Sequence, residues 1–293
     1  MEQKRILITG AAGNIGYELI RGLAEIKTPH QIVAGNHNIE KAKQKLSGFD
    51  NLTFRYLDFT RKKTFEGALK GIDVVFLLRP PHLANISKIF APFIEEMKKA
   101  GIQKIVFLSV QGVENQKIIP HHKMEKLIQE KDLEYAFLRP GYFMQNITTT
   151  LLPEIKHENK IFIPAGKLKF NWIDARDIGS VGAHILNDFE QHKNRSYEMT
   201  GTEFCGFEKV AEELSVQLGR EIIYESPNLL KFYRAKRRQG ISKNMIFVMI
   251  MLHYLPRFSN NAARLTNTVQ EITGQDPHRL KEFISREKIK FST

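Results

Sequence analysis

Gly10, Gly13 and Gly16 stand three residues apart in the run Gly10-Ala11-Ala12-Gly13-Asn14-Ile15-Gly16. An apolar strand, Ile6-Leu7-Ile8-Thr9, precedes them, and a segment with Ile15, Leu19, Ile20 and Leu23 at helical spacing follows. On such a strand-to-helix turn, Gly10 permits the tight bend, Gly13 lets a pyrophosphate reach the backbone, and Gly16 allows close helix–strand packing. The helix start then offers unpaired N–H groups and the positive end of its dipole to phosphate. The chemistry predicted is dinucleotide binding, with Gly10, Ala12, Gly13, Asn14, Ile15 and Gly16 as the phosphate loop.

The end of the second strand bears on which nucleotide. A carboxylate there holds the adenosine ribose hydroxyls and repels a 2′-phosphate. The sequence reads Val33-Ala34-Gly35-Asn36-His37-Asn38, with no acid until Glu40 and with Lys41, Lys43 and Lys45 nearby. NADP is therefore expected over NAD, with Asn36 and His37 in the cofactor site. After the third strand, Asp58 and Phe59 are placed to flank the adenine; the other role open to Asp58 is capping the next helix.

The elements behind these residues alternate through the first 140 positions. Strands are predicted at Arg5–Thr9, Gln31–Gly35, Leu52–Leu57, Val74–Leu78, Lys104–Ser109 and Tyr135–Arg139, with helical patterns between. Their near-continuous apolar runs suit a parallel sheet covered on both faces, an α/β doubly wound Rossmann fold. After Arg139-Pro140-Gly141 the pattern predicts a helix to about His157, strands at Lys160–Ile163 and Phe170–Ile173, a helix from Arg176 and a strand near Tyr197–Met199. From Phe207 the chain reads as mostly helical. The run Met245–Leu252 is expected to be a buried helix, or else a flexible lining for an apolar pocket, since Met adapts to varied shapes. The domain expectation is a dinucleotide-binding domain over 1–200, with about 140–165 crossing into a second lobe, and a substrate-side lobe over 201–293.

The 293 residues are 42% hydrophobic and 26% charged, an ordinary globular composition. One cysteine, Cys205, excludes a disulfide within the chain and a Cys-cluster metal site. The longest stretch free of Asp, Glu, Lys and Arg is the 14 residues Pro140–Pro153, short of the roughly 20 that cross a bilayer. Met1-Glu2-Gln3-Lys4-Arg5 leads directly into a strand, so a soluble, cytoplasmic protein is expected. The net charge of +12 includes clusters at Lys41/Lys43/Lys45, Arg61-Lys62-Lys63 and Arg234/Lys236/Arg237/Arg238. These suit a solvated lysine-rich surface, with attraction of an anionic cofactor or nucleic acid as the sharper alternatives. No nucleic-acid-binding signature accompanies them.

Several separate segments together resemble the NmrA-like family of atypical short-chain dehydrogenases/reductases. They are Thr9–Gly16, Val75-Phe76-Leu77-Leu78-Arg79-Pro80-Pro81, Leu138-Arg139-Pro140-Gly141-Tyr142-Phe143-Met144-Gln145-Asn146, Phe170–Ile178, Tyr197–Gly201 and Thr273–Pro277. The resemblance implies a sheet of order 3-2-1-4-5-6-7, a smaller, mostly helical C-terminal lobe, and a nicotinamide cofactor across the strands' carboxyl ends. It places Leu78, Arg79, Pro80, Pro140 and Phe143 at the cofactor, and Gln111, Phe143, Asn146 and Trp172 at the substrate.

The wider superfamily uses Tyr-x-x-x-Lys, in which the Tyr transfers a proton. None of the eight Tyr here has Lys four positions on. In Pro120-His121-His122-Lys123-Met124-Glu125, His121 and Glu125 keep the family's Lys-to-Glu spacing. His121 therefore takes the Lys position and Lys117 falls where the Tyr would be. A histidine there could hold a ribose hydroxyl or donate a proton near neutral pH; the other alternative is a surface histidine at a helix start. A shift of alignment by one or two residues would give the role to His122 or Lys123. Ser109 matches the superfamily's active-site serine and could polarise a carbonyl, or simply bond local backbone.

Two functions of different kind follow. One is NAD(P)H-dependent hydride transfer to a quinone-like or aromatic acceptor, which needs little acid catalysis because its reduced form is stabilised by conjugation. The other is a non-catalytic redox sensor that binds the nucleotide and signals to a protein partner. A nucleoside-diphosphate-sugar epimerase needs the missing Tyr, and so ranks below both. The partners expected are a small-molecule acceptor, or a protein if the chain is a sensor, with no metal, nucleic acid or membrane; the chain is expected as monomer or homodimer.

Overall fold

The structure is a computed structural model describing residues 2–258 and 264–292. Its strands are β1 (Arg5–Thr9), β2 (Gln31–Asn36), β3 (Leu52–Tyr56), β4 (Val74–Leu77), β5 (Lys104–Leu108), β6 (Glu134–Pro140), β7 (Tyr142–Phe143), β8 (Lys160–Phe162), β9 (Lys169–Ile173), β10 (Arg195–Met199), β11 (Phe204–Gly206) and β12 (Ile223–Glu225). The chain divides into two compact units.

The first unit comprises Met1–Pro140, Ala175–Met199 and Asn267–Asp276. Its seven-stranded sheet runs β10-β6-β5-β4-β1-β2-β3, with every neighbouring pair parallel. This is a Rossmann-like sheet in the order the resemblance implied. β4 returns to the far side of β1, so the order reverses between them, and a crevice is expected at the carboxyl ends there. Both faces are covered, which explains the unbroken apolar runs. On one face Leu7, Val75, Ile105 and Phe137 join a core with Phe65, Phe90, Phe93 and Met97. On the other, the helix Ala175–Asn187 closes on Leu138 and Phe76 at Gly182.

The second unit comprises Gly141–Asp174, Thr200–Thr266 and Pro277–Thr293. It holds a three-stranded sheet, β11-β9-β7, and the parallel pair β12-β8. Tyr142, Phe170, Trp172 and Phe207 pack together at its centre with ring centroids 4.6–6.4 Å apart, all edge to face except the tilted Tyr142–Phe170 pair. Lys236 and Glu154 form an ion pair with neither side chain exposed beyond 2%, and Gln239 Nε2 donates to the same carboxylate at 2.8 Å. Buried Asp174 accepts from Arg286 at 2.6 Å and Gln145 at 2.7 Å.

Four differences from the sequence expectations have physical causes. The chain changes units at Pro140/Gly141 and at Met199/Thr200, but the crossing segment extends to Asp174, past the expected 165, and Asn267–Asp276 returns to the first unit, where its helix Thr268–Thr273 packs on the helix Ala175–Asn187. No helix runs from Gly141 to His157. β7 pairs β9 first, a short 3₁₀ turn follows, and the helix Leu152–Glu158 begins only where Pro153 can occupy its first turn. Lys236, read as one of a surface cluster, is buried.

The fourth concerns Met245–Leu252. It lies in the helix Lys243–His253, which buries Ile246, Met249 and His253 but leaves Phe247 62% and Leu252 47% exposed. The expected fully buried helix is half uncovered.

Lys236→Met leaves Glu154 an uncompensated buried charge, so urea unfolding should lose about 3–5 kcal/mol. Lys236→Met with Glu154→Leu should recover most of that loss. A single substitution costing under about 1 kcal/mol would contradict the dry burial of the pair.

Candidate functional site

The site is built at the carboxyl ends of β1, β2, β4 and β5. Gly10 takes φ of +62°, the left-handed region in which a side chain is strained. A Cβ on Gly16 would stand 2.5 Å from Gly10 O and 2.6 Å from Ala11 Cα. The turn therefore closes only because both positions lack side chains. Gly13 donates to Gly10 O at 2.8 Å and caps the helix Asn14–Glu25 with extended backbone and no side-chain cap bond. The first N–H groups of that helix are left for a ligand. Asn14 is exposed at the helix start, while Ile15 is buried and contributes only backbone.

Asn36, ending β2, accepts from Ala12 N at 3.3 Å through Oδ1, so the strand end steadies the loop. Its Nδ2 is buried and has no partner among the described residues. His37 beside it is exposed. Asp58 is half-buried and accepts from the Thr60 amide at 2.9 Å and hydroxyl at 2.6 Å, with Arg61 at 3.4 Å. Burial pushes its carboxyl up, but the Thr60 bonds and the Arg61 charge outweigh this and hold it below the usual range. Phe59 turns inward against Phe90 at 4.9 Å and Phe93 at 5.2 Å. It is a core residue, which corrects the expectation that it flanks an adenine.

Thr9 and Leu78 tie β1 to β4: Leu78 N donates to Thr9 Oγ1 at 2.9 Å, and Leu78 packs over Gly10. Arg79 follows. Its Nη1 donates to the carbonyls of Pro80, Pro81 and Leu83 at 3.0–3.1 Å, and Pro80 is half-buried in that loop. Its Nη2 lies 3.4 Å from His121 Nε2, and its buried Nε meets no acceptor among the described residues. Burial lowers the guanidinium to about 10, so it remains a cation at neutral pH.

His121 opens the helix Pro120–Glu130 and rests on Phe107, with ring centroids 6.2 Å apart. Burial, and then the charge of Arg79, pull it down to about 3. Because Arg79 can only donate, Nε2 is the acceptor and the neutral ring carries its proton on Nδ1. His121 is half-buried rather than at the surface, and its lowered basicity argues against the proton donation near neutral pH that the sequence suggests. Lys123 is exposed and lies about 200° around the helix from His121, so the two cannot serve one point. His122 is taken up by a bond to the Val113 carbonyl at 3.2 Å, and Lys117 is exposed.

Ser109 is 1% exposed. Its amide donates to Leu138 O at 2.7 Å, but its hydroxyl has no partner among the described residues, so it does not simply bond local backbone. Gln111 N donates to the Pro140 carbonyl at 2.9 Å, and its side chain donates to Glu198 at 3.3 Å. Arg139 makes a two-pronged bond to buried Glu125, at 3.0 and 2.6 Å. Glu198 and the Glu125–Arg139 clamp position the loop after β5. Sequence reading missed Glu198, and noted Glu125 only as spacing from His121; a lone Glu near a strand end carries no further signal.

Three residues predicted at the site lie in the second unit. Phe143 and Asn146 are half-buried in and just after β7. Trp172 is 0% exposed, with its indole N–H donating to Cys205 O at 3.0 Å. It offers no face to a ligand, which corrects its assignment to substrate.

Asn36 Nδ2, Arg79 Nε and Ser109 Oγ are all able to donate, and all lack acceptors among the described residues. A buried unpaired donor costs about 1–3 kcal/mol, so the set fits an oxygen-rich, anionic ligand. With the open helix start and the bare glycine turn, the residues present suit a dinucleotide.

A sequence model of the NmrA-like family matches residues 2–269. Prestalk A differentiation protein A of Dictyostelium discoideum is 30% identical over 278 residues, covering 95% of this chain and 90% of that protein. The NAD(P)H azoreductase of Xenophilus azovorans is 27% identical over 282 residues, covering 95% and 96%. Among solved structures, the NADPH-dependent quinone oxidoreductase of Escherichia coli, complexed with NADPH, superposes with a TM-score of 0.80. It is 22% identical and covers 96% of this chain and 99% of that one, a likeness of fold.

The neutral His121 gives an acid-stability test. The unfolded chain takes up a proton near 6.5 and the folded site only near 3. The stabilisation is therefore complete above pH 6.5 and is lost as pH falls through that window. His121→Gln should flatten part of the decline in urea midpoint between neutral and acid pH. An unchanged slope would mean that the ring titrates in the folded chain as it does in water. Buried His253, lowered to about 4, keeps its own share of the slope in either case.

Proposed function

We propose, from the premise that this chain belongs to the NmrA-like family, that it is a nicotinamide-nucleotide-dependent reductase delivering hydride to a quinone-like or other conjugated aromatic acceptor, with NADP preferred over NAD. The observation that carries this is the pairing of Arg79, a half-buried cation, with a His121 held neutral, beside the unpartnered Ser109 hydroxyl. Such a site can stabilise developing negative charge, but it has no ready acid to protonate an alkoxide. Acceptors whose reduced form is a delocalised anion suit it; ordinary ketones and sugars do not. The azoreductase and quinone oxidoreductase names of its relatives point the same way.

The glycine turn and the open N–H groups of the helix Asn14–Glu25 hold the diphosphate. Asn36 Nδ2 faces the adenosine side as a neutral donor. The first acid after it, Glu40, is exposed and paired with Lys43 at 3.2 Å, so no carboxylate at the strand end repels a 2′-phosphate. When bound, the reduced nicotinamide supplies the hydride. Arg79 and Ser109, at the carboxyl ends of adjacent strands β4 and β5, orient the reacting end and hold charge on the acceptor oxygen or nitrogen.

Titration with NADPH and NADH, followed by addition of menadione or an azo dye, tests this. Acceptor-dependent oxidation with NADPH favoured is expected. Saturable binding without oxidation across a panel of such acceptors moves the chain to the redox-sensor function, and failure to bind either nucleotide overturns the site. Arg79→Met should lower kcat roughly 100-fold. His121→Gln keeps a neutral partner for Arg79 and should leave a pH profile without a histidine break between pH 5 and 9, as the unmodified chain should show. Asn36→Asp should move the NADPH/NADH preference toward NADH by about 2 kcal/mol, or roughly 30-fold.

A further inference from the structure

We propose that the helices Leu229–Arg238 and Lys243–His253 dock the protein on an anionic lipid surface. From Ser226 to Gln270 the sequence holds eight Lys or Arg and not one Asp or Glu. That segment alone carries net +8, against +12 for the whole chain. Lys236 is turned inward to Glu154 and Lys231 is paired with Glu225. Arg234, Arg238 and Lys243 are exposed and meet no carboxylate among the described residues.

Within this basic segment the helix Lys243–His253 shows solvent an apolar surface. Phe247 is 62% exposed, with Val248, Met251, Leu252 and, in the turn just after the helix, Leu255 between 42% and 47%. The helix cannot roll to cover them. Its buried stripe, Ile246, Met249 and His253, is pinned by His253, whose Nδ1 donates to Met249 O at 2.7 Å while its Nε2 accepts from Tyr142 at 2.7 Å. The bonds hold one stripe in and the other out. An uncovered apolar patch of this kind marks an interaction surface.

Charge selects the occupant. A second copy meeting this face with its own would set two acid-free cationic segments together, which is repulsive. Nucleic acid would use the cations but gain little from Phe247, Val248 and Leu252. An anionic bilayer uses both, taking apolar side chains into the headgroup boundary and cations against the lipid phosphates. No described helix is long and apolar enough to span a membrane, and surface docking requires none. The proposal does not depend on the reductase chemistry, because the surface lies wholly in the second unit.

Co-sedimentation of the full chain with phosphatidylcholine vesicles, with and without about a third phosphatidylglycerol, tests it. Binding is expected with the anionic lipid, to be weak without it, and to decline as salt rises. At about 1 kcal/mol per surface cation, Arg234→Gln with Arg237→Gln and Arg238→Gln should weaken binding on the order of 100-fold. Phe247→Gln with Met251→Gln should weaken it independently. Both are exposed positions, and an unchanged thermal unfolding midpoint verifies that the variants fold. Absence of vesicle binding overturns the proposal, as does equal binding to uncharged vesicles. So does a dimer in sedimentation velocity that Phe247→Gln dissolves while vesicles do not bind, which assigns the face to a second copy. Vesicle binding indifferent to Phe247→Gln and matched by binding to a nucleic-acid homopolymer also overturns it, in favour of a general polyanion surface.

Discussion

The approach of the helix start at Gly16 to the strand end at Gly10 is the contact on which the first unit depends. With 2.5 Å between Gly10 O and the place a Cβ would occupy, the helix Asn14–Glu25 sits against β1 at a distance no other residue permits. That closeness aims the uncapped N–H groups at the carboxyl ends of the sheet. It also sets Ala12 within reach of Asn36 and Leu78 over Gly10. The site's other contributors, at the ends of β2, β4 and β5, are positioned relative to this turn by the parallel ladder itself.

The second governing feature is electrostatic. Arg79 is half-buried with carbonyls and a neutral imidazole for company, and no carboxylate answers its charge among its bonds. Burial of a cation without an anion is costly unless a ligand supplies the anion. The same charge adds to burial, the larger cause, in keeping His121 unprotonated. Arg79 thus makes the site attract anions and, together with burial, keeps its histidine from acting as an acid, and the chemistry proposed follows from that pair of consequences.

The second unit uses buried charge differently. Lys236–Glu154 and Arg286–Asp174 are closed pairs that lock helices in place, whereas the neighbouring cations of the same segment stay in solvent. A run of basic residues read as one surface cluster is therefore two things: Lys236 is part of the core, and Arg234 and Arg238 are a face. The apolar run beside it divides in the same way, between the pinned stripe at Met249 and the uncovered one at Phe247.

Much of the fold was legible in the sequence because its signals are local. Apolar runs of strand length, glycines at fixed spacing and the absence of Tyr-x-x-x-Lys all express constraints within a few residues, and they determined the alternating elements, the phosphate loop and the missing acid. What tertiary structure alone decided is burial and partnership, which arise between residues far apart in sequence. Phe59 and Trp172 look like ligand-facing aromatics until their neighbours close over them. His121 looks like a proton donor until burial and Arg79, 42 positions away, keep it neutral. Glu198 lies within the Tyr197–Gly201 segment but carries no role that the sequence shows, and becomes a positioning residue only because β10 lies beside β6. Desolvation and charge coupling depend on what is packed within a few ångströms, and spacing along the chain does not record that.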